Sequence, residues 1–133
     1  MTAGMTAGPV AGAGAGADTG AATGADGAVQ VDRILAALAD PTRRLVLEVL
    51  GGRRECSATT IARSTPVSRQ AVVKHLAVLD EAGLVAGRRV GREVLFQVRP
   101  EGLRLAASWM ADLAAAWDRR LRWLKETAES GVE

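Results

Sequence analysis

One segment of the chain carries matching start and stop signals for a helix, and it constrains the fold more than any other segment. Ser68 is a good N-cap, because its hydroxyl can accept a hydrogen bond from a free backbone amide of the first turn. Gly83 stands where a left-handed C-terminal cap belongs, and Leu84 can then contact Leu79 as in a Schellman motif. These signals predict a helix over Arg69–Ala82 with a defined beginning and end.

A shorter helix precedes this one. Ser57 can cap a helix that ends near Arg63, and residues 64–66 (Ser-Thr-Pro) form a tight break. Two helices joined by a turn of about three or four residues form a helix-turn-helix. The spacing therefore predicts that the helix beginning at Arg69 is the second helix of such a motif.

Two β-prone runs follow, at residues 84–86 and 93–98, on either side of a basic turn. Gly87 and Gly91 are expected to let the backbone turn there, so the two runs predict a β-hairpin. A basic hairpin placed directly after a helix-turn-helix is the wing of a winged helix.

Further helices are predicted on both sides of this unit. Asp40 suits an N-cap and Pro41 suits the first position of a helix, so they separate a helix at about 29–39 from a second one that ends at residues 51–52. A last helix is predicted over Glu101–Thr127, about 40 Å long, which exceeds the width of so small a domain. The expected fold is mainly α with a small β-hairpin: a winged helix-turn-helix of about five helices and a two-stranded wing.

The 133 residues suffice for one such domain. Residues 1–28 include ten Ala and eight Gly, a composition with few side chains to bury, and we expect a disordered tail there. The folded domain is expected at residues 29–128, followed by a flexible C-terminus at 129–133. No apolar run approaches the ~18–20 residues of a membrane span, and no basic-then-apolar leader is present. We therefore expect a cytoplasmic protein without membrane contact.

Basic residues are concentrated in the middle of the chain. Residues 41–104 hold 12 Lys or Arg and 6 Asp or Glu, a net charge of +6, whereas residues 1–28, 29–40 and 105–133 have net charges of −2, −1 and −1. A basic middle between acidic flanks is the distribution expected for a polyanionic partner. A solvated Arg-rich surface would give the same counts, so charge alone leaves both interpretations open.

The predicted second helix has two distinct faces. Val72, Leu76 and Leu79 fall on one face together with the edge of His75, and this face should be core. The opposite face carries side chains able to pair with base edges: Arg with guanine, Gln with adenine, and Val with the thymine methyl group. The wing adds cations for the phosphate backbone or the minor groove. The predicted contacts with double-stranded DNA are Ser68, Arg69, Gln70, Val73, Lys74, Arg88, Arg89, Gly91 and Arg92.

Apolar residues recur at three- and four-residue steps along the last helix. That helix is too long for its own domain to cover its apolar face, so we expect a homodimer in which a second copy covers it. The residues expected at this interface are Ile34, Leu38, Trp109, Leu113, Trp117, Leu121 and Leu124. Trp and Met side chains can also line a pocket for a small hydrophobic effector, and that alternative stays open.

The scarcity of cysteine and histidine excludes several function classes. Cys56 and His75 are the only residues of their types, so the chain can form neither an internal disulfide nor a closed structural zinc site from such residues alone. No Gly-rich phosphate loop follows a strand and nucleophile–base pairs are few, so we expect neither enzymatic activity nor a cofactor. His75 fits a packing role better than a metal-ligand role. Cys56 stays open as a redox switch, because a dimer could bring two copies together.

Three motifs resemble those of ArsR-type winged-helix repressors. Residues 36–44 (AALADPTRR) resemble the family's opening signature, residues 67–76 (VSRQAVVKHL) with 79–85 (LDEAGLV) its recognition helix, and residues 91–96 (GREVLF) its wing. The resemblance covers about Val31 to Lys125. It implies a homodimeric, sequence-specific DNA-binding repressor that often controls its own operon, with the dimer formed through the first and last helices.

The resemblance favours the non-metal branch of that family. Its metal-sensing members place a Cys-x-Cys pair at positions that correspond to Ser57 and Thr59, and Cys56 is off by one. Other sensors carry His ligands in the last helix, whereas this chain has no His after position 75. We therefore expect no metal site. Two alternatives remain: a dimeric winged-helix protein-interaction module without DNA binding, and a repressor gated by oxidation or by a small ligand.

Overall fold

A computed structural model describes residues 24–131 of the chain. Within this part there are five helices and three strands. The elements are α1 (Ala25–Leu38), α2 (Pro41–Gly51), β1 (Cys56–Ser57), α3 (Ala58–Arg63), α4 (Arg69–Glu81), β2 (Val85–Val90), β3 (Glu93–Val98) and α5 (Pro100–Gly131). This order confirms the predicted mainly helical winged helix-turn-helix, with α3 and α4 as its two characteristic helices and β2 and β3 as its wing.

Helical structure reaches further at both ends than the sequence pattern predicts. Residues 25–28, assigned to the tail, form the first turn of α1, where Ala favours helix and Asp26 suits the positive end of the helix dipole. Residues 129–131, assigned to the flexible C-terminus, continue α5. The rest of the predicted tail, residues 1–23, and residues 132–133 lie outside the described residues.

The predicted N-caps are confirmed. The Asp40 carboxylate accepts hydrogen bonds from the backbone amide of Thr42 at 2.7 Å and from that of Arg43 at 3.3 Å. Ser57 and Ser68 each accept one from the amide three residues on, at 3.2 and 3.1 Å. Each bond satisfies an amide that the helix itself leaves free, so the starts of α2, α3 and α4 are determined locally.

Two arginines of the residue 36–44 motif join α1 to α2. Nε of Arg43 donates to the carbonyl of Ala37 at 2.7 Å, and Nη1 of Arg44 donates to that of Leu38 at 2.6 Å. These carbonyls lie in the last turn of α1, where no intrahelical donor is available. Both guanidiniums therefore have a structural role in the α1–α2 corner.

The end of α4 is the predicted Schellman motif. Gly83 has φ +78°, the amide of Leu84 donates to the carbonyl of Leu79 at 2.9 Å, and the amide of Gly83 donates to that of Asp80 at 2.9 Å. This pair of bonds reverses the chain and directs it into β2.

The sheet in the described residues has three antiparallel strands in the order β1-β3-β2. Cys56 and Gly87 flank Phe96 on either side in this sheet. The sequence predicted only the two strands of the wing and missed β1. Two residues are too few to show an alternating pattern, and β1 is a strand only because the distant β3 pairs with it.

The core lies where α1, α2, α3, α4 and the sheet meet. Its fully buried large side chains are Ile34, Val46, Leu50, Ile61, Val72, Leu76, Leu79, Leu84 and Val85. Ile34 was expected at a dimer interface, and this expectation is wrong, because its side chain is 0% exposed within a single chain. Leu38, expected at the same interface, is partly buried against this core.

Candidate nucleic-acid interface

The buried face of α4 determines which side chains the helix presents to solvent. Val72, Leu76 and Leu79 are fully buried, as predicted. Gln70 and Lys74 are exposed and lie four residues apart, so they follow one another along the outer face of the N-terminal half. Arg69, the first residue of the helix, is exposed beside them. The helix therefore presents polar side chains with base-pairing chemistry on its free face.

Val73 differs from these neighbours. It was expected on the outer face, but it is only partly exposed and packs against the core. A half-buried valine leaves only part of its side chain for contact with a partner. His75, on the edge of the core face, is likewise partly buried.

Arg69 is held by the preceding helix. Its Nε donates to Oγ1 of Thr59 at 3.0 Å, across the turn between α3 and α4. This bond engages one of the three guanidinium nitrogens and leaves the two terminal nitrogens for a partner. Ser68, the N-cap, is exposed immediately before Arg69.

Arg88, in strand β2 of the wing, forms an ion pair with Glu55, which lies outside the wing. Its Nε and Nη2 donate to the two carboxylate oxygens of Glu55 at 2.6 and 2.8 Å. These bonds hold the pKa of Glu55 below its ordinary value. The pair spans the sheet from the residue before β1 to β2, so this arginine, which the sequence predicted as a DNA contact, has an intramolecular carboxylate partner.

The tip of the wing is a two-residue turn of Gly91 and Arg92 between β2 and β3. Gly91, the first residue of the turn, has φ +61°, and Arg92, the second, does not have a positive φ. A positive φ at the first position alone is typical of a type II′ turn. Arg89 and Arg92 are both exposed, so the wing presents two cations near its tip. The predicted role of Gly91 in the turn is confirmed.

Gly87, in contrast, does not make the turn. It lies buried within β2, where a Cβ would be 2.9 Å from Cγ1 of Val94 and 3.0 Å from Cε1 of Phe96. Glycine is required there because β2 and the side chains of β3 approach each other too closely for a methyl group.

Two further exposed cations lie next to the partner of Arg88 and are not among the predicted DNA contacts. Arg53 and Arg54 are exposed in the segment between α2 and β1, directly before Glu55, whose carboxylate binds Arg88. The two arginines follow two glycines, which indicate a turn. Two adjacent arginines at a turn could have indicated an exposed basic segment from the sequence alone.

Cys56 is poorly placed for redox chemistry. Its side chain is 5% exposed, and burial raises the pKa of the thiol, with Arg53 opposing the rise. A raised pKa reduces the thiolate that reacts with oxidants. Among residues 24–131, no three His, Cys, Asp or Glu side chains lie close enough together to hold a metal ion.

The outer three-quarters of α5 has no covering layer in the single chain. All described residues from 107 onward are exposed, and large apolar side chains continue the face that Gly102 and Ala106 bury at the helix start. They are between 44% and 61% exposed: Trp109, Met110, Leu113, Trp117, Leu121, Trp123 and Leu124. The described helices include none that is long and apolar enough to cross a membrane.

The comparisons with known proteins agree with this geometry. A family model described as a helix-turn-helix domain matches residues 38–88. The chain is 39% identical over 99 residues to the HTH-type transcriptional regulator Rv2034 of Mycobacterium tuberculosis, covering 74% of this chain and 89% of that protein. It is 26% identical over 91 residues to the transcriptional repressor SdpR of Bacillus subtilis, covering 68% of this chain and all of that one.

Solved structures show the same fold. An ArsR-like transcriptional regulator from Rhodococcus sp. RHA1 matches with a TM-score of 0.68 and 39% identity, covering 75% of this chain and 93% of that one. The homodimeric winged helix-turn-helix DNA-binding domain of Mb0332 from Mycobacterium bovis, solved by NMR, matches with a TM-score of 0.52 and 28% identity, covering 69% and 82%. These relatives are named as regulators rather than as enzymes.

Proposed function

The chain belongs to the ArsR family of winged helix-turn-helix transcriptional regulators, and from this we propose that it binds a pseudo-palindromic operator as a homodimer and represses transcription. The relative SdpR is named a transcriptional repressor, which supports the direction of control. Control of its own operon is part of the proposal, as the family resemblance implies.

One observation carries the proposal: the free face of α4 exposes side chains able to pair with bases at its N-terminal half, and the wing has exposed arginines. In this geometry the second helix enters the major groove with its N-terminal residues against base edges. Arg69 would pair with guanine and Gln70 with adenine, while Lys74 approaches bases or phosphate. Val73 would contact a thymine methyl group through its exposed part.

In this proposal, contacts with the DNA backbone hold α4 in register. Ser68 suits a phosphate oxygen at the start of α4, and Arg89 and Arg92 suit the phosphates or minor groove beneath the wing. In this arrangement the turn at Gly91 would bring the tip of the wing to the DNA backbone. Arg88 would add a phosphate contact only through the part of its guanidinium that Glu55 leaves available.

The exposed apolar face of α5 supports the homodimer. Seven large apolar side chains lie about half exposed along one helix, which is unfavourable for a chain that stays single in water. The related domain of Mb0332 is a homodimer. We assign the interface to Trp109, Leu113, Trp117, Leu121 and Leu124, with Leu38 at its edge. Two-fold symmetry then predicts half-sites about 34–36 Å apart, or a multiple of that distance.

The experiment is a selection of duplexes from a random-sequence pool by the full chain, followed by titration of an enriched duplex and a scrambled one over salt. We expect enriched sequences with two-fold symmetry and a log–log salt slope of several units. A reporter placed behind the enriched site should be repressed. No enrichment, or equal affinity for both duplexes, would favour the protein-interaction module instead.

Two variants assign roles within the interface. Arg69→Ala should weaken the enriched duplex by about 1–3 kcal/mol and relax one base preference, because a bidentate base contact is lost. Arg92→Ala should weaken all sequences alike and reduce the salt slope by about one. Equal losses on enriched and scrambled DNA for Arg69→Ala would refute its base-reading role.

A further inference from the structure

The hydrogen bond between Thr59 and Arg69 joins the two helices of the helix-turn-helix on its exposed side. We propose that Thr59 is a positioning residue that orients the Arg69 guanidinium for end-on, bidentate contact with a guanine. The inference rests on the proposed function and names a specificity determinant outside the recognition helix.

The bond selects which edge of the guanidinium is available. Arginine has five N–H groups in a fixed plane, one on Nε and two on each terminal nitrogen. Two different edges can make a bidentate contact: one uses Nε with a terminal nitrogen, and the other uses both terminal nitrogens. Because Nε donates to Oγ1 of Thr59 at 3.0 Å, the first edge is occupied and the second is free. Guanine O6 and N7 accept two such bonds in the major groove.

The position of Thr59 makes this restraint effective. Thr59 lies in the first turn of α3, ten residues before Arg69, so the bond depends on how the two helices pack rather than on local chain geometry. The turn of α3 that carries Thr59 is anchored next to it, since Ser57 caps the helix through the amide of Thr60 at 3.2 Å. An acceptor carried on an anchored helix turn therefore faces a long side chain that would otherwise sample many rotamers.

Restraint of the Arg69 side chain before binding raises the affinity for DNA, because the side chain loses less conformational freedom when it binds. Ordering one rotamer-rich side chain at an interface corresponds to roughly a 2- to 10-fold effect on affinity. We therefore expect Thr59→Val, which keeps the branched shape and removes the acceptor, to weaken the enriched duplex roughly 3- to 10-fold. Affinity for scrambled DNA and the salt slope should stay unchanged, because no phosphate contact is removed.

The matched control is Thr65→Val, the same chemical change in the α3–α4 turn. The hydroxyl of Thr65 donates to the Ala62 carbonyl and has no bond with Arg69. Thr59→Ser should restore affinity and selectivity, since serine keeps the acceptor. Thermal unfolding of all variants shows whether the fold is retained.

A double-mutant cycle separates positioning from a direct role. In an Arg69→Ala background, Thr59→Val should have no further effect, and both variants should relax preference at the same base position. An equal loss in both backgrounds, an equal loss for Thr65→Val, or no rescue by Thr59→Ser would overturn the inference. If the unaltered chain enriches no sequence at all, the proposed function fails, and the inference with it.

Discussion

Asp80 carries a carboxyl group in the interior of the domain. Its substitution tests whether burial of this group makes the stability of the fold depend on pH. It lies near the end of α4, only 8% exposed, and its Oδ1 has no hydrogen-bond partner among the described residues. Burial, which has the largest effect, and the neighbouring Glu81 carboxylate together raise the pKa of Asp80 from 3.8 to about 6, against the opposing effect of Arg99. The folded protein therefore binds this proton more tightly than the unfolded chain.

The sign of the pH dependence follows from that difference. The stabilisation that comes from a protonated Asp80 is fully present below pH 3.8 and is lost as the pH rises through about 6. At about 1.4 kcal/mol per pKa unit, the charged carboxylate costs the fold up to roughly 3 kcal/mol at pH 7. Asp80→Asn removes the charge but leaves a buried amide, so we expect a net gain of about 1–2 kcal/mol at pH 7.

Urea unfolding of the parent and of Asp80→Asn at pH values from 4 to 8 measures this difference. The free energy of unfolding of Asp80→Asn should exceed that of the parent at pH 7, and the gap should shrink steadily towards pH 4. Comparing the two proteins at each pH cancels the titration of other carboxylates. Asp118→Asn, on the exposed part of α5, is the matched control. A gap that is independent of pH would show that Asp80 does not titrate differently in the folded state.

Three further variants test other contacts. Glu55→Gln removes the carboxylate that binds Arg88 and frees this arginine for phosphate. Affinity for scrambled DNA should therefore rise several-fold, and the salt slope should increase by about one. Both effects should exceed those of Glu48→Gln, which changes the net charge equally. Leu121→Glu places a charge in the exposed apolar face of α5 and should give monomers by light scattering; retention of the dimer would remove that face from the interface. Gly87→Ala should destabilise the fold by about 1–3 kcal/mol in urea unfolding, since its Cβ would lie 2.9 Å from Cγ1 of Val94. An unchanged unfolding midpoint would mean that the side chains of β3 move aside without a cost in stability.

Features determined by neighbouring residues could be predicted from the sequence. The N-caps at Asp40, Ser57 and Ser68 and the Schellman end at Gly83 each depend on contacts within a few positions, and all four are present. The order of helix, turn, helix and hairpin follows from these local signals. Because the order alone defines a winged helix-turn-helix, the fold could be inferred without any long-range contact.

Features determined by distant contacts could not be predicted. Strand β1 exists only through its pairing with β3, about 40 residues on in the chain. Ile34 shows why an apolar pattern has limited meaning: its spacing indicates that it is buried, but not whether the covering surface belongs to its own chain or to a partner. The α5 residues beyond Ala106 have the same kind of spacing and are exposed.

The arginines show the same limit within the candidate interface. In the sequence, Arg88 and Arg92 are equivalent cations of the wing, and Arg69 differs from them only by its place on the predicted helix. In the structure one is restrained by Thr59, one is paired with Glu55, and one is exposed at the tip of the wing. A guanidinium restrained through Nε keeps a defined edge for a base, whereas one engaged by a carboxylate has lost most of its attraction for phosphate. Base specificity is therefore expected from the first and sequence-independent affinity from the third, although all three contribute equally to the net charge.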